Sequence, residues 1–349
     1  MLPDTTYFVN FPGLGIENLE INRIAFQIGS ISIYWYGLLI ASAILLCLYL
    51  SLRHSRFHGL NPDNVLDIYI AIIPAMIIFA RLYYVAFQWP MYRDNLLLIL
   101  DTRTGGLAFY GGVIGGVLAA WLVARFKKIP FSRVADFLIV YVPLGQAIGR
   151  WGNFFNQEAF GTNTTLPWGM ISNETTRYLN MLNDASLDPK LPVHPTFLYE
   201  FLANMALFII LLVIRRRSKR PYTTLFSYLI GYGITRFFVE SIRTDALYVP
   251  GTSIRVSMVL SAVMVLGGLA GLLLIRSHVN KHPLPEPVDD TDKLDFNITG
   301  QPETDFFREQ SEDETAATET EDDAETENDA KTETMAEAEA KKADDSSES

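Results

Sequence analysis

The sequence predicts an all-α, polytopic integral membrane protein with about seven transmembrane helices and a disordered acidic C-terminal tail. Apolar segments of about 20 residues, the length that crosses the hydrocarbon core of a bilayer, recur along the chain. Basic residues cluster in the short connections between these segments, and the residues after 281 are strongly acidic. These observations favour a membrane body over a water-soluble globular domain.

Seven segments reach the required length, near residues 31–50, 65–87, 106–124, 134–152, 196–214, 222–241 and 254–275. The third carries glycines four residues apart, Gly111 with Gly115 and Gly112 with Gly116. Small residues at this spacing let helix backbones approach closely. We therefore predict that this segment packs tightly on another helix, with a lipid or ligand contact as the alternative.

The basic residues predict the orientation in the membrane. If the N-terminus is outside, the inner connections hold thirteen basic residues: Arg53, Arg56, Arg125, Lys127, Lys128, Arg133, Arg215, Arg216, Arg217, Lys219, Arg220, Arg276 and Lys281. The outer parts, which are much longer, hold six: Arg23, Arg93, Arg103, Arg177, Lys190 and Arg243. Positive loops stay cytoplasmic, so the tail is expected inside. RRRSKR (215–220) is interpreted as a topology signal and not as a nucleic-acid patch.

The chain is expected to comprise a membrane body, residues 1–281, and a disordered cytoplasmic tail, residues 282–349. The tail holds 24 of the 39 acidic residues and 5 of the 28 basic ones, which leaves 15 acids and 23 bases in the body. A polar, acidic, repetitive segment buries too little apolar surface to offset its ordering entropy. Cys47, the one cysteine, lies in an apolar run and is interpreted as a small apolar filler.

Ionisable and hydrogen-bonding residues inside the spans predict the functional site, because a charge in the bilayer is costly unless it is paired or hydrated. The topology places a set of them at one depth, in the outer halves of six spans: Tyr36, Arg81, Tyr110, Arg150, Glu200, Arg236 and Glu240. A shared hydrated cavity facing the outer leaflet would explain this agreement. Asp67 and Asp136 lie at inner ends, where we expect pairing or capping roles.

The arginines suggest what this cavity binds. A guanidinium makes two hydrogen bonds at once to a phosphate. Arg81, Arg150 and Arg236 exceed what the nearby acids obviously require, namely Glu158, Glu200 and Glu240. The excess favours an anionic ligand such as a phospholipid headgroup. A simple ion pair between Arg236 and Glu240, four residues apart on one helix face, and pairing of every arginine with an acid remain alternatives.

One stretch carries a family resemblance. GRWGNFFNQEAFG (149–161) resembles the signature of the bacterial prolipoprotein diacylglyceryl transferases, with matches at Gly149, Arg150, Gly152, Asn153, Phe154, Asn156, Glu158 and Gly161. The similarity extends to YWYG (34–37), ARLYYV (80–85), GGLAFYGGVIGG (105–116), HPTFLYE (194–200) and YGITRFFVESIR (232–243). It covers roughly residues 25–275, the membrane body without the tail.

The resemblance implies an activity. The family moves the diacylglyceryl group of phosphatidylglycerol onto the lipobox cysteine of prolipoprotein signal peptides. A thioether forms and glycerol phosphate leaves, which is the first step of bacterial lipoprotein maturation. The expected location is the bacterial cytoplasmic (inner) membrane, and the expected partners are phosphatidylglycerol, prolipoprotein signal peptides and membrane lipid, with no cofactor, metal or nucleic acid.

The resemblance also implies residue roles. The catalytic set comprises Arg150, Arg236, Tyr110 and Glu240, with both arginines on the headgroup and phosphate. Asn153 and Asn156 are expected to orient glycerol oxygens, and Glu158 and Glu240 to position the arginines. The remaining substrate-binding residues are Tyr36, Arg81, Gly161, His194, Tyr199 and Glu200, and the segment at about 157–195 is a possible cap.

The group that activates the thiol stays open. Many family members carry a His-Gly-Gly element where this chain has Tyr110, Gly111 and Gly112. A neutral tyrosine, with a pKa of about 10, is a poor base. His194 is the remaining outer histidine, and a purely structural role for it is equally compatible with the sequence. We favour stabilisation of the thiolate by the arginines, with Tyr110 as a hydrogen-bond partner.

Other classes of membrane protein fit the sequence less well. A transporter is expected to show repeated, broken helices, and none are evident. A structural scaffold needs no arginines inside its spans. An intramembrane hydrolase needs its own nucleophile, and the sequence contains no Gly-x-Ser-x-Gly or His-Glu-x-x-His element.

Overall fold

The computed structural model describes residues 6–101, 105–218, 220–249 and 251–281. All of them belong to one unit of the chain, Met1–Leu284. The predicted disordered tail, residues 282–349, lies outside the described residues. Ten α-helices are described in these ranges: α1 Trp35–Ser55, α2 Pro62–Phe87, α3 Trp89–Tyr92, α4 Phe109–Phe126, α5 Phe131–Leu138, α6 Tyr141–Asn156, α7 Asn173–Leu182, α8 Thr196–Arg217, α9 Thr223–Ile242 and α10 Val256–Lys281.

The membrane-spanning character of the fold is confirmed, but the predicted number of spans is not. Six described segments are long and apolar enough to cross a membrane: Trp35–His58, Pro62–Phe87, Phe109–Phe126, Phe131–Asn156, Thr196–Arg217 and Val256–Ser277. The seventh predicted span, 222–241, forms α9, which has 20 residues. Arg236, Glu240 and several hydroxyl residues make α9 less apolar, and α8 and α10 pack against it.

The all-α prediction is correct for the membrane body and misses a small β-structure before it. The described strands are β1 Thr6–Phe11, β2 Ile16–Asn22, β3 Ile24–Ile28, β4 Ile31–Tyr34 and β5 Ile171–Ser172. β1 lies between β2 and β5 in an antiparallel sheet, and β3 pairs with β4 in a hairpin. The first span therefore begins at Trp35 and not near residue 31, because 31–34 pairs as a strand.

The N-terminal sheet shares a hydrophobic core with the membrane helices. Tyr7 and Val9 of β1 are buried in the same cluster as Phe154 of α6 and Phe197 of α8. The backbone N–H of Phe8 also donates to Asn173 Oδ1 at 3.1 Å, at the start of α7. The start of the chain is thus packed on the segment that joins α6 to α8.

The fourth predicted span, 134–152, is broken. Helix α5 ends at Leu138 and α6 begins at Tyr141. Pro143 explains the break, because a proline cannot donate a hydrogen bond to the carbonyl four residues earlier and its ring crowds that carbonyl. The second half of the span, α6, packs against α1 and α8. It carries the signature stretch to the end of the bundle.

Helices α2 and α4 pack closely through glycine, as the sequence predicted. A Cβ at Gly111 or Gly115 would overlap the carbonyl oxygens of Phe79 and Ala75. The backbones therefore touch at a separation that any larger residue would prevent. Helix α4 is held in place along this face, which fixes the position of Tyr110 at its start.

Both aspartates expected at the inner ends have the pairing and capping roles that we predicted. Asp67 Oδ2 lies 2.6 Å from Lys127 Nζ, which joins α2 to the end of α4. Asp136 Oδ1 accepts a hydrogen bond from Leu225 N at 2.9 Å, so it caps the first turn of α9.

Candidate active site

Three helices meet at one buried carboxylate. Glu200, the fifth residue of α8, is 2% exposed. Its Oε2 lies 2.5 Å from Arg150 Nη2 of α6, and its Oε1 lies 3.4 Å from Arg236 Nη1 of α9. Glu240, one turn after Arg236, lies 2.5 Å from Arg236 Nη2. The structure therefore brings the two arginines predicted to bind phosphate to a common point.

Arg243 is a member of this group that the sequence analysis missed. Its Nη1 lies 3.6 Å from Glu200 Oε1, and its guanidinium donates to both carboxylate oxygens of Asp245, at 2.8 and 2.6 Å. The sequence analysis counted it as an outer-loop charge. The spacing of Arg236, Glu240 and Arg243, at i, i+4 and i+7, places them on one helical face and could have revealed it. We call these residues together the arginine cluster: Arg150, Glu200, Arg236, Glu240, Arg243 and Asp245.

The expected excess of arginines is not found in the arginine cluster. Among the described residues, its three guanidiniums face three carboxylates, so the formal charge balances. The arginines and the carboxylates nevertheless differ in how far they are exposed. The side chains of Arg150 and Arg236 are 20% and 17% exposed, whereas those of Glu200 and Glu240 are 2% exposed. The carboxylates thus lie behind the arginines, and a ligand would meet guanidinium N–H groups first.

Two members of the arginine cluster, Arg243 and Asp245, have a pKa shifted away from the ordinary value. Burial acts to raise the pKa of Asp245, but the hydrogen bonds and charge of Arg243 hold that pKa below its usual range. Burial acts to lower the pKa of Arg243, and the hydrogen bond and charge of Asp245 raise it above its usual range. This pair therefore stays ionised at neutral pH and fixes the end of α9.

The structure does not bring Arg81 into the arginine cluster. Its guanidinium donates to the carbonyl oxygens of residues in the connection between α3 and α4: Leu98 at 2.6 Å, Ile99 at 2.8 Å, Asp101 at 2.7 Å, Gly105 at 3.2 Å and Gly106 at 2.9 Å. Its ring partner is Tyr92, whose centroid lies 5.1 Å from the guanidinium carbon. These contacts stabilise that connection, and the predicted substrate role of Arg81 has no contact that supports it.

The signature stretch forms a chain of hydrogen bonds that leads to Arg150. Glu158 Oε1 accepts from Asn153 Nδ2 at 3.0 Å and from Asn156 Nδ2 at 3.1 Å. Asn153 Oδ1 in turn accepts from Arg150 Nη1 at 3.3 Å. Helix α6 ends at Asn156, and Gln157 turns the chain back with a left-handed φ of 51°. Glu158 therefore acts on Arg150 through Asn153 and not by direct contact.

Gly152 allows Tyr36 to lie against α6. A Cβ at Gly152 would be 2.5 Å from Tyr36 Cδ2, so any side chain would displace the ring. The hydroxyl of Tyr36, which is in the first turn of α1, lies within electrostatic range of Glu158 and Arg150. The structure thus places the predicted substrate-binding residue Tyr36 beside the arginine cluster.

Gly161 joins the signature stretch to two neighbouring segments. Its N–H donates to the carbonyl of His194 at 2.9 Å, and it pairs as a bridge with Arg243. A Cβ there would be 2.8 Å from His194 Cβ and 3.0 Å from Ile242 O. Gly161 is therefore a positioning residue that holds the end of α9 close to the start of α8.

His194 and Tyr199 are hydrogen-bonded to each other. His194 Nδ1 lies 3.0 Å from the hydroxyl of Tyr199, which accepts from Trp168 Nε1 at 2.8 Å. Burial lowers the pKa of His194 below its ordinary value, so the imidazole is neutral at pH 7. The direction of the hydrogen bond with Tyr199 depends on which imidazole nitrogen carries the proton. The other hydrogen bonds that the structure gives for His194 join its backbone to Gly161, Thr162 and Thr196.

Tyr110 and Tyr232 complete this end of the bundle. Tyr110, the second residue of α4, is 39% exposed. Tyr232 of α9 lies within electrostatic range of Tyr110, Arg150, Glu200 and Arg236. Tyr232 was not singled out by the sequence analysis, although it lies one turn before Arg236. It connects Tyr110 to the arginine cluster.

The fold and this site define a multi-pass membrane protein with a buried ionic cluster at one end of its helical bundle. Within the described ranges, no group of three or more His, Cys, Asp or Glu residues is arranged to hold a metal ion. The side chains at and beside the arginine cluster supply guanidinium, carboxylate, amide and phenol groups.

Comparison with known proteins identifies the family to which this membrane protein belongs. The family model described as prolipoprotein diacylglyceryl transferase matches residues 23–274. Relatives named phosphatidylglycerol–prolipoprotein diacylglyceryl transferase include one from Clostridioides difficile, 39% identical over 266 residues, which are 76% of this chain and 100% of the relative. Another, from Listeria innocua, is 42% identical over 266 residues, 76% of this chain and 92% of the relative. A third, from Thermosynechococcus vestitus, is 39% identical over 262 residues, 74% of this chain and 94% of the relative. The chain therefore belongs to the prolipoprotein diacylglyceryl transferase family and is a transferase.

Proposed function

We propose that this chain transfers the diacylglyceryl group of phosphatidylglycerol to the lipobox cysteine thiol of prolipoproteins, the first step of bacterial lipoprotein maturation. Family membership supports the reaction, since the relatives' names state both substrates. One observation links the reaction to named residues of this chain. Arg150 and Arg236, from separate helices, converge on Glu200, and each keeps part of its side chain exposed at one end of the bundle.

The reaction needs positive groups where the leaving group departs. The sulfur of the substrate peptide forms a bond to the glycerol carbon, and the bond from that carbon to the phosphate oxygen breaks. The electron pair of the broken bond stays on glycerol phosphate, whose negative charge increases as it leaves. The thiol gives up its proton, and the departing phosphate oxygen takes up a proton directly or through water. Donors fixed around that oxygen stabilise the charge that develops in the transition state.

Arg150 and Arg236 are the donors that we assign to the phosphate. Each guanidinium has five N–H donors, and the carboxylates behind them occupy only part of this capacity. Glu200 and Glu240 then orient the guanidiniums in advance, so that little reorganisation is needed when the lipid binds. Electrical neutrality of the arginine cluster before binding is compatible with this role, because the arginines are more exposed than Glu200 and Glu240.

The polar groups around the arginines fit the rest of the lipid headgroup. Asn153 and Asn156 share Glu158 and lie next to Arg150. Their amides are assigned to the hydroxyl and ester oxygens of the glycerol groups. Tyr36, whose ring lies against Gly152, is assigned to the same lipid. Gly161, His194 and Tyr199 shape the segment 157–195, which we assign as the cap over the site.

Thiol activation is assigned to the field of the arginines, with Tyr110 and Tyr232 as hydrogen-bond partners. A thiol with a pKa of about 8.5 ionises more readily beside guanidinium groups. The hydroxyls of the two tyrosines lie within electrostatic range of each other, and Tyr232 is also within range of Arg150 and Arg236. We assign His194 a structural role, since its described hydrogen bonds are to the Tyr199 hydroxyl and to backbone groups.

The proposed location is the bacterial inner membrane, with the N-terminus and the arginine cluster outside. The basic residues at the end of α8, Arg215 to Arg217, support this orientation because positive charge is retained on the cytoplasmic side. Glu200 lies near the beginning of the same helix, and therefore near the opposite membrane surface.

The test of the proposed function is lipid transfer by variants of the two arginines. We expect Arg150→Ala and Arg236→Ala each to lower transfer by a factor of about a hundred or more, since each removes a charge-assisted donor from the developing phosphate. Transfer is measured in membranes with labelled phosphatidylglycerol and a lipobox peptide, and insertion is checked by membrane fractionation.

Arg217→Ala is the matched control, because Arg217 is exposed and lies at the other end of α8. It is expected to keep wild-type transfer. Full activity of either cluster variant would refute the role assigned to that arginine. Absence of transfer by the wild-type protein with both substrates present would refute the proposed reaction.

A further inference from the structure

A second basic site lies at the end of the bundle opposite the arginine cluster. A cavity of about 460 Å³ opens there, lined by His58, Pro130, Ser132, Arg133, Asp136, Phe137, Arg215, Ser218, Arg220 and Pro221. Glu200 and Arg215 are on the same helix, α8, and a separation of fifteen residues corresponds to about 22 Å along its axis. The cavity and the arginine cluster are therefore separate sites, near opposite surfaces of the membrane.

The charge of this cavity is positive and largely uncompensated. Arg133, Arg215 and Arg220 line it, and none of them forms an ion pair with another residue in the ranges that the structure describes. Asp136 is the one acid among the lining residues given by the structure. Its carboxylate accepts from Leu225 N at 2.9 Å, so it is already engaged in capping α9.

Arg215 holds its guanidinium at the wall of this cavity. Its guanidinium carbon lies 5.4 and 5.2 Å from the ring centroids of Phe137 and Tyr141, and its Nη1 donates to the carbonyl of Phe137 at 3.1 Å. Its Nε is buried and has no hydrogen-bond partner among the described residues. The rings and this carbonyl fix the guanidinium at the wall of the cavity, where its other N–H groups can donate to an anion.

The start of α5 adds further donors. Helix α5 begins after Pro130, and no side chain caps its first turn. Pro130 and Ser132 line the cavity, so the unpaired N–H groups of this turn are at its wall. Basic residues that serve only to orient a membrane protein need not line a common cavity with the first turn of a helix. These features instead describe a place for an anion with several acceptor oxygens.

We propose that this cavity binds a phosphate-bearing anion and that the headgroup of an anionic phospholipid is its source. A phosphate diester offers acceptors to two or three guanidiniums at once. The cavity lies where the apolar span Thr196–Arg217 ends, which is the depth of lipid headgroups. Its occupant would hold α5, α8 and the connection to α9 together on the side of the membrane away from the proposed reaction.

The test counts the phospholipids that stay bound to the full-length protein. Native mass spectrometry of protein taken from phosphatidylglycerol nanodiscs gives this number directly. We compare the wild type with Arg133→Gln/Arg220→Gln, in which two exposed cavity arginines lose their charge. Arg53→Gln/Arg217→Gln is the matched control, because both arginines are exposed, lie at the same end and do not line the cavity.

We expect the cavity variant to retain one phospholipid fewer than the wild type and the control, and to bind it about tenfold more weakly, since about 1.4 kcal/mol of charge-assisted hydrogen bonding is lost. This readout does not rest on the proposed reaction. If the arginine cluster bound no lipid, the number of bound phospholipids would be lower by one in all three proteins. The difference between the cavity variant and the control would remain.

Inorganic phosphate distinguishes the two sources of the anion. Retention of the additional lipid at millimolar phosphate assigns the cavity to a headgroup, whereas its displacement by phosphate assigns it to the free anion. Equal lipid counts and equal phosphate binding in the cavity variant and the control would overturn the proposal. No bound phosphate compound in the wild type would also overturn it.

Discussion

At the scale of single residues, Glu200 determines how the arginines are arranged. It is buried, and it accepts contacts from Arg150, Arg236 and Arg243. A carboxylate buried in this way is stable only because several positive groups surround it. The sequence analysis identified Arg150, Arg236 and Glu200 because they are charges inside apolar segments. It missed Arg243, which follows the last apolar turn and looked like an ordinary loop charge.

Replacement of this carboxylate tests its role as an organising group. We expect Glu200→Gln to destabilise the protein by about 3 kcal/mol, the lower end for a broken buried ion pair, because the arginines are partly exposed. Transfer should fall as well, since Arg150 loses its only acidic partner among the described residues. Thermal unfolding in detergent gives the stability. Asp67→Asn, which removes an exposed ion pair at the other end, is the control and should shift the unfolding temperature far less.

His194 predicts a dependence of stability on pH. Burial lowers its pKa in the folded protein, so as the pH falls the unfolded chain takes up a proton first. The contribution of neutral His194 to stability is therefore fully present above its unfolded pKa of about 6.5 and is lost as the pH falls through the lower folded pKa. Unfolding temperatures measured between about pH 7.5 and 5 should decrease, and the decrease should be smaller in His194→Gln. Identical pH profiles of the two proteins would show that His194 is not responsible.

At the scale of secondary-structure elements, apolar length was enough to locate the helices but not their local interruptions. Every predicted span contains a helix, because about 20 apolar residues leave few other structures in a bilayer. The break before α6 follows from Pro143 and could have been predicted. The pairing of β1 with β5 could not, because the two strands are about 160 residues apart in sequence and no local pattern reports such pairing. The pairs β1–β2 and β3–β4 are local, and the sequence analysis missed them because it looked only for apolar spans.

Arg81 shows why depth in the membrane is an incomplete guide to function. Its position in α2 resembles that of the cluster arginines in the sequence, yet its partners are backbone carbonyls of a nearby connection. A buried guanidinium can be satisfied by carbonyls as well as by acids or a ligand. Depth in the membrane, as inferred from the sequence, cannot separate these cases. The carbonyls that the guanidinium of Arg81 contacts depend on the fold of residues 98–101 and 105–106.

The contact of α2 with α4 gives a prediction with a control in the same helix. We expect Gly111→Ala to destabilise the protein by about 1–3 kcal/mol, since its Cβ would overlap the backbone of Phe79 and Ala80. Gly112→Ala places its Cβ 3.5 Å from Met76 O, an ordinary contact, and gains about 0.8 kcal/mol of helix propensity. Unfolding in detergent should therefore separate the two variants. A similar loss in both would show that the glycine face is not the cause.

At the scale of the whole molecule, the charge distribution predicted the layout of the membrane body. Its two ends differ in chemistry: one holds balanced ion pairs between buried groups, and the other holds arginines in excess. The sequence analysis expected the excess at the first end, since it counted Arg81 there and not Arg243 or Asp245. The correct balance depends on which side chains meet after folding, and composition does not contain that information.

The acidic residues after 281 give a further prediction at this scale. We expect a chain truncated after Lys281 to insert and to keep transfer activity within about twofold, because the family match ends at residue 274 and the arginine cluster lies wholly before the truncation. Transfer by equal amounts of inserted full-length and truncated protein is the measurement. A stably inserted truncation without turnover would show that the acidic segment takes part in the reaction.

The pairing of β1 with β5 has a consequence for how the protein is made. Residues 6–11 leave the ribosome first, but their partner strand at 171–172 and Phe197 in the shared core follow much later. Strand β1 can pair with β2 at once, but its other edge and the shared core are completed only after four of the six apolar spans have been synthesised. A tag fused ahead of Thr6 would be present throughout this delay, whereas one fused at the other terminus would appear only after assembly was complete.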